Sequence, residues 1–300
     1  MLKIDFIRKL FNRIYDRIRR DYANPIIADF LEFYVKLTYS TRKKSVPHNL
    51  DKKLIVSLTS YPPRFPKLPL TLKCLLSQSI KPDHLILWIS HDDKHALTPE
   101  ILALQDVGLE INFCDDLRSF TKIIPTLINY PDSIVVTADD DLYYWSTWLE
   151  DLTKAYQEDS RSVICHRAHQ IRCNGDGYPL PYNDWVFDTG IQKVSPLIFL
   201  TGVGGVLYPS GIFHPDVLDV DQFKKLCPYA DDVWLYWMVR LNGAMVRKIG
   251  PVRVHYNWRN TQQYGLVMNN VYGSRNDGQI QAMINVYGLP AMVDEAENIN

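Results

Sequence analysis

Disulfide chemistry has little to work with in this chain. Its cysteines, Cys74, Cys114, Cys165, Cys173 and Cys227, number five and lie scattered without a CxxC pair, which excludes a disulfide framework and fits a reducing compartment. Net charge is also nearly absent: 33 Lys and Arg against 34 Asp and Glu leave −1. A global attraction to nucleic acid is thereby excluded, and any partner is recognised through a local patch. No apolar run approaches the roughly 18 residues of a membrane span, and MLKIDFIRKLFNRIYDRIRR is charged throughout. Neither a spanning helix nor a secretory signal is expected, so the protein is assigned to the cytoplasm. There is no internal repeat and no low-complexity tract. What is present is 300 residues that are 46% apolar, enough for one large or two modest domains with an unstapled core.

Three segments follow from the pattern. Residues 1–48 form an N-terminal helical extension. Within it Phe6, Ile7, Leu10, Phe11, Ile14 and Ile18 recur at helical spacing between Arg8, Arg13, Arg17, Arg19 and Arg20, a basic amphipathic helix suited to an anionic membrane surface or to docking on the rest of the chain. Residues 49–158 alternate short apolar strands (LIVSL, HLILWIS, LEINFC, SIVVTA) with helical periods, the signature of a mostly parallel sheet flanked by helices. Pro125 weakens the helix in KIIPTLINY, and the helix after SIVVTA starts near Trp145. Residues 159–300 change texture, with a Gly- and Pro-rich loop, FLTGVGGVLYP, ADDVWLYWMVRLNG and VRVHYNW; a smaller mixed sheet is expected there.

All four early strands run into polar loops: TSYPPR, HDD, DDLRS and DDD. Ligands of open α/β sheets bind at the carboxyl ends of strands, so one crevice is expected to collect these endings. Asp139, Asp140 and Asp141 are the extreme case. Each pair of such charges repels by about 4 kcal/mol at 4 Å with an effective dielectric near 20. A hard divalent cation, Mn²⁺ or Mg²⁺, offsets this, with substrate phosphates completing the shell. The alternative is that the acidic run only caps the following helix. Asp231 and Asp232 open a second helix and pose the same choice.

These stretches carry a resemblance. TADDDLYY after an apolar strand resembles the DXD motif of nucleotide-sugar glycosyltransferases of the GT-A fold, and SLTSYPPR, DDD, the GG loop and ADDVW follow in the order that fold uses. Over roughly residues 52–260 the chain is similar to bacterial surface-polysaccharide glycosyltransferases. The resemblance implies a Rossmann-like GT-A sheet, a nucleotide-sugar donor and metal ligation by Asp139 and Asp141, with His255 a candidate third ligand. It gives Thr59, Ser60, Tyr61 and Arg64 to the base, ribose and phosphates, and implies an inverting reaction with Asp232 as general base and Asp231 orienting the acceptor. Asp231 stands where the family pattern often has Glu, which leaves the acceptor contacts open.

Four further groups are candidates on their residue types. Asp92 and Asp93 occupy the second strand end and are set against the base; Arg118 and Lys122 face the diphosphate or solvent. Gly202, Gly204 and Gly205 permit close approach of a sugar or a backbone. Tyr182, Trp185 and Trp258 suit either sugar stacking or the core. CHRAHQIRC fits no common zinc frame. The expected reaction moves a sugar, UDP-linked in the favoured case, to a glycan acceptor that is lipid-linked if residues 1–22 touch the inner membrane. A sugar-nucleotide nucleotidyltransferase is disfavoured because SLTSYPPRFPK lacks glycine, and a non-catalytic glycan binder because Asp139, Asp141 and Asp232 are all present.

Overall fold

The structure is a computed structural model describing residues 24–41, 44–262 and 275–292. The expected basic amphipathic helix of residues 1–22 lies outside them. Helix α1 (Asn24–Thr38) leads into β1 (Leu54–Thr59), α2 (Leu68–Leu75), β2 (His84–Ser90), β3 (Leu109–Cys114), α3 (Ile124–Asn129), β4 (Ile134–Thr137) and α4 (Trp148–Glu158). Then come β5 (Ser162–Cys165), β6 (Val194–Ser195), β7 (Val206–Tyr208), α5 (Val220–Leu226), α6 (Asp231–Leu241), β8 (Met245–Lys248) and α7 (Arg275–Tyr287).

Strands β1 and β4 are buried along almost their whole length, as strands covered on both faces must be. One eight-stranded sheet results, in the order β3-β2-β1-β4-β7-β5-β8-β6. The first four strands are mutually parallel, with Leu54 opposite Ile134 and Ser57 opposite Thr137. β7 lies antiparallel between β4 and β5, β8 runs parallel to β5, and β6 closes the edge antiparallel. Two reversals restore direction, so β5 and β8 point the same way as β1–β4. Six strands therefore present their carboxyl ends to one edge of the sheet.

The expected fold class, a mostly parallel Rossmann-like sheet flanked by helices, is what the chain adopts. The later strands are more integrated than the sequence pattern suggests: β5–β8 extend the main sheet, and only Ala168–Gln170 with Ile198–Leu200 form a separate antiparallel pair. β7 occupies the free edge of β4, which satisfies that edge and leaves no place to begin an independent sheet. Two apolar cores flank this sheet, one dominated by residues of the first half and one by α6 and its neighbours, where Trp234, Tyr236 and Trp237 are wholly buried.

Pro125 falls in the first turn of α3, after a short 3₁₀ turn Arg118–Lys122. Its missing N–H costs nothing at that position.

Candidate active site

The chain between β4 and α4 is not helical until Trp148. Asp139–Asp141 thus lie a full loop ahead of α4 and do not cap it. Each carboxylate is partnered, two of them through one shared arginine. Ser60 Oγ donates to Asp140 Oδ2 at 2.6 Å, and Arg64 Nη1 approaches Asp140 Oδ1 at 3.2 Å. The same guanidinium nitrogen pairs with Asp141 Oδ2, which also accepts from the Asn257 amide at 3.1 Å and from the Gln262 amide. Lys122 Nζ lies 3.3 Å from Asp139 Oδ1 and 3.1 Å from Asp231 Oδ2. Lys122 is 8% exposed and Asp231 6%, so the lysine is a buried bridge between the two acidic runs.

Backbone and aromatic groups hold the loop. The Thr71 hydroxyl, on α2, lies 3.0 Å from the carbonyls of both Asp140 and Leu142, and accepts from Trp258 Nε1 at 2.7 Å. Leu142 and Asn257 form a β-bridge, and the Trp258 N–H donates to Asp141 O at 2.9 Å. Trp258, a candidate for sugar stacking, is instead 2% exposed and packs in the core. Tyr182 and Trp185 are likewise buried, in an aromatic cluster with Phe199.

Asp231 and Asp232 begin α6 without any side-chain cap to the helix backbone. Asp232 Oδ1 accepts from the Gly202 N–H at 2.9 Å instead, so helix capping does not explain the pair. Burial, reinforced by Asp231, pushes the Asp232 carboxyl up to about 7 against the opposing pull of Lys122. Burial and the neighbouring Asp141 raise Asp140 to about 7 as well. For Lys122 burial works against the charge, but Asp231, Asp139 and Asp232 outweigh it and hold the ammonium well above its ordinary range.

The glycine loop has a physical reason in these contacts. Gly204 and Gly205 adopt φ of +88° and +94°. A Cβ on Gly204 would fall 2.3 Å from His255 Nε2, and one on Gly205 2.4 Å from the Trp148 ring; the Trp148 indole also donates to Gly204 O at 2.7 Å. At Gly202 a Cβ would meet Lys122 Nζ at 2.9 Å and Asp232 Oδ1 at 3.1 Å. The groups that approach these glycines closely are side chains of the site itself.

Other candidates fall further out. The Thr59 hydroxyl donates to Trp88 O at 2.9 Å, tying β1 to β2. Tyr61 is partly exposed with its ring 5.9 Å from the Arg64 guanidinium. Asp92 is exposed in the turn after β2, its N–H on Ser90 Oγ. Arg118 turns toward the second half, over the Tyr229 ring at 5.0 Å.

The two aspartates are donors of the type a hard divalent cation takes, and the His255 imidazole, a ligand of borderline metals, has its Nε2 buried with no hydrogen-bond partner. Among the described residues no three His, Cys, Asp or Glu side chains converge on one point, because Asp141 is turned to Arg64, Asn257 and Gln262. His166, in the CHRAHQIRC stretch, is spent on Trp148 O at 3.1 Å, and His169 Nδ1 accepts from the Asp188 N–H at 3.1 Å. Sequence reasoning missed Thr71, Asn257 and Gln262; the only available signal was the polar clustering in HYNWRNTQQ beside the expected His255.

No family model and no curated protein matches the chain. Among solved structures it is similar to two of S. aureus TarS 1–349, one of them in complex with UDP. Identities are 14% and 16%, the TM-score is 0.46 for both, and the overlap covers 82% of this chain and 68% of TarS 1–349.

Proposed function

We propose that the protein is an inverting, metal-dependent glycosyltransferase that moves a sugar from a nucleoside diphosphate donor, UDP-linked, to a glycan acceptor in surface-polysaccharide synthesis. The observation that carries this reading is the meeting of Asp139–Asp141 and Asp231–Asp232 around Lys122 at the carboxyl edge of the parallel strands, where open α/β sheets bind their ligands.

The environments of these residues support the following roles. Asp232, its carboxyl pushed up to about 7 by burial, is suited to take the proton of an acceptor hydroxyl in its ionised form as that oxygen attacks the anomeric carbon, since a base works best with a pKa near the working pH. Asp231 orients the acceptor. Asp139, Asp141 and His255 are the residues that would hold Mn²⁺ or Mg²⁺, which supplies stabilisation of the departing diphosphate when bound. Ser60 and Arg64 brace Asp140 and Asp141 from β1's loop, with Thr59 and Tyr61 at the base side.

A placement at the cytoplasmic face of the inner membrane belongs to this reading. Ile26, Phe30, Phe33, Tyr34 and Leu37 are all exposed on α1 at spacings that make one apolar stripe. Residues 1–44 carry eleven Lys or Arg against five Asp or Glu, whereas the remainder carries twenty-two against twenty-nine. Among the described residues no helix is long and apolar enough to cross a membrane. An apolar stripe beside a basic segment suits the surface of an anionic bilayer, and a lipid-linked acceptor is met there.

The test is thermal unfolding with UDP, GDP and CDP, each with and without Mn²⁺, on the wild type and Asp141→Ala. A ligand at about 100 times its dissociation constant adds roughly 2.7 kcal/mol, several degrees in midpoint. Stabilisation by UDP that requires metal and vanishes in the variant is the expected result; no shift with any nucleotide overturns the reading.

A further inference from the structure

A second feature of the same sheet edge is basic. His166 and Arg167 follow the carboxyl end of β5, and Lys248 ends β8. Together with Arg253, Asp188 and His255 they line a small cavity that shares His166, Lys248 and Arg253 with a larger cleft of about 310 Å³.

Its cations are unequally committed. Arg167 Nε pairs with Asp188 at 2.5 Å. Arg247 and Lys154, which border the larger cleft, are closed by Glu158 and Glu150 at 2.9 and 2.6 Å, and Asp151 is taken by the Trp145 indole at 3.0 Å. Lys248 and Arg253 differ: among the described residues neither has a carboxylate within ion-pair distance. Lys248 is 1% exposed and its ammonium donates to the Gly250 carbonyl, while the exposed Arg253 guanidinium rests over the Trp145 ring at 4.5 Å. A buried ammonium without an anion is costly in isolation, and a lysine with an arginine at one concave wall is a recognition pattern for phosphate oxygens.

One loop connects Arg167 to the proposed base. Arg167 Nη1 donates to Thr201 Oγ1 at 3.2 Å, and the next residue, Gly202, donates its N–H to Asp232. Arg167, which lines the small cavity with Lys248 and Arg253, thus touches the residue that adjoins the hydrogen-bond donor of the proposed base.

We propose that this cleft binds a phosphate group borne by the acceptor, so that the acceptor is a phosphorylated or phosphodiester-linked glycan or lipid. The proposal rests on the glycosyltransferase reading for the word acceptor, though not for the anion site.

The experiment titrates the full chain with inorganic phosphate, glycerol 3-phosphate and glycerol by calorimetry, with and without saturating UDP and Mn²⁺. The wild type is compared with Arg253→Gln and Lys248→Met. Phosphate and glycerol 3-phosphate are expected to bind and glycerol not. Each variant should weaken binding about tenfold or more, the loss of a charge-assisted hydrogen bond, with the UDP-induced midpoint shift unchanged. Preference for glycerol 3-phosphate over inorganic phosphate identifies an esterified group as the ligand. Absence of phosphate binding, binding indifferent to Arg253→Gln, or displacement of phosphate by UDP overturns the proposal, the last by assigning the cleft to the donor. If Lys248→Met fails to fold, the exposed Arg253 variant decides. Failure of the glycosyltransferase reading appears separately, as no nucleotide effect on the midpoint.

Discussion

Asp140 and Asp232 are the same chemical group, both partly buried and both pushed up to about 7, yet they are held in opposite ways. Asp140 is gripped by Ser60 and Arg64 and has its own carbonyl fixed by Thr71. Asp232 accepts one backbone hydrogen bond, from Gly202, and faces Lys122 without an ion pair to it. A clamped carboxylate is part of a scaffold, whereas one with spare lone pairs can receive a proton from something else. Environment rather than residue type divides the labour, as in other sites where two carboxylates carry two roles.

The largest effect that would test this division is on rate. Asp232→Asn should lower transfer by about 10²–10⁴-fold while leaving the UDP-induced midpoint shift intact, whereas Asp140→Asn should loosen the loop and weaken UDP binding. Steady-state rates beside nucleotide titrations separate them, and equal losses of both properties in both variants would erase the distinction. The same pair has a stability signature. A carboxyl whose folded pKa is raised contributes stability that is complete at low pH and is lost as pH rises through the folded value. Measured against either Asn variant, the wild-type melting midpoint should therefore fall between about pH 4 and pH 7, as scanning calorimetry of wild type and variants across pH would reveal.

Next in size is the glycine loop. Gly204→Ala places a methyl where His255 Nε2 lies and demands a left-handed backbone of alanine. A stability loss of about 1–3 kcal/mol is expected from the backbone alone, with any metal-dependent UDP effect diminished; unchanged unfolding and unchanged metal response would refute the packing argument.

Lys122 sharpens the comparison further. Removing its charge takes away what draws Asp232 down, so in Lys122→Met the acid limb of the pH–rate profile should move to higher pH, and Lys122→Arg should bring it back. A limb that does not move would mean that the lysine only fills space. The smallest effect is expected at Ser60→Ala, where one hydrogen bond to Asp140 is worth about 1 kcal/mol by denaturant titration, with the rate nearly unchanged.

The parallel half of the fold was legible because its strands are short apolar runs with polar endings, a pattern fixed by burial on both faces. The acidic clusters were legible for the opposite reason, since charge at a strand end or helix start is conspicuous. What the pattern could not reveal was partnership. Arg64 looks like a phosphate ligand in TSYPPR but is turned onto Asp140 and Asp141, and Lys122 joins Asp139 to Asp231 from the far half of the chain. The insertion of β7 between β4 and β5 was equally hidden, because pairing order depends on which edge is free and not on local propensity. Lys248 and Arg253 carry no local mark at all; only the return of β8 beside β5 brings them to His166.

One contact has a consequence for synthesis of the chain. The Thr71 hydroxyl receives the Trp258 indole N–H and reaches the carbonyls on either side of Asp141. The loop that presents the acidic run is thus finished by residues translated nearly two hundred positions later than the helix bearing Thr71. A nascent chain that has already made β1–β4 still lacks Asn257, Trp258 and Gln262, so its acid cluster stays incomplete until the second half has arrived.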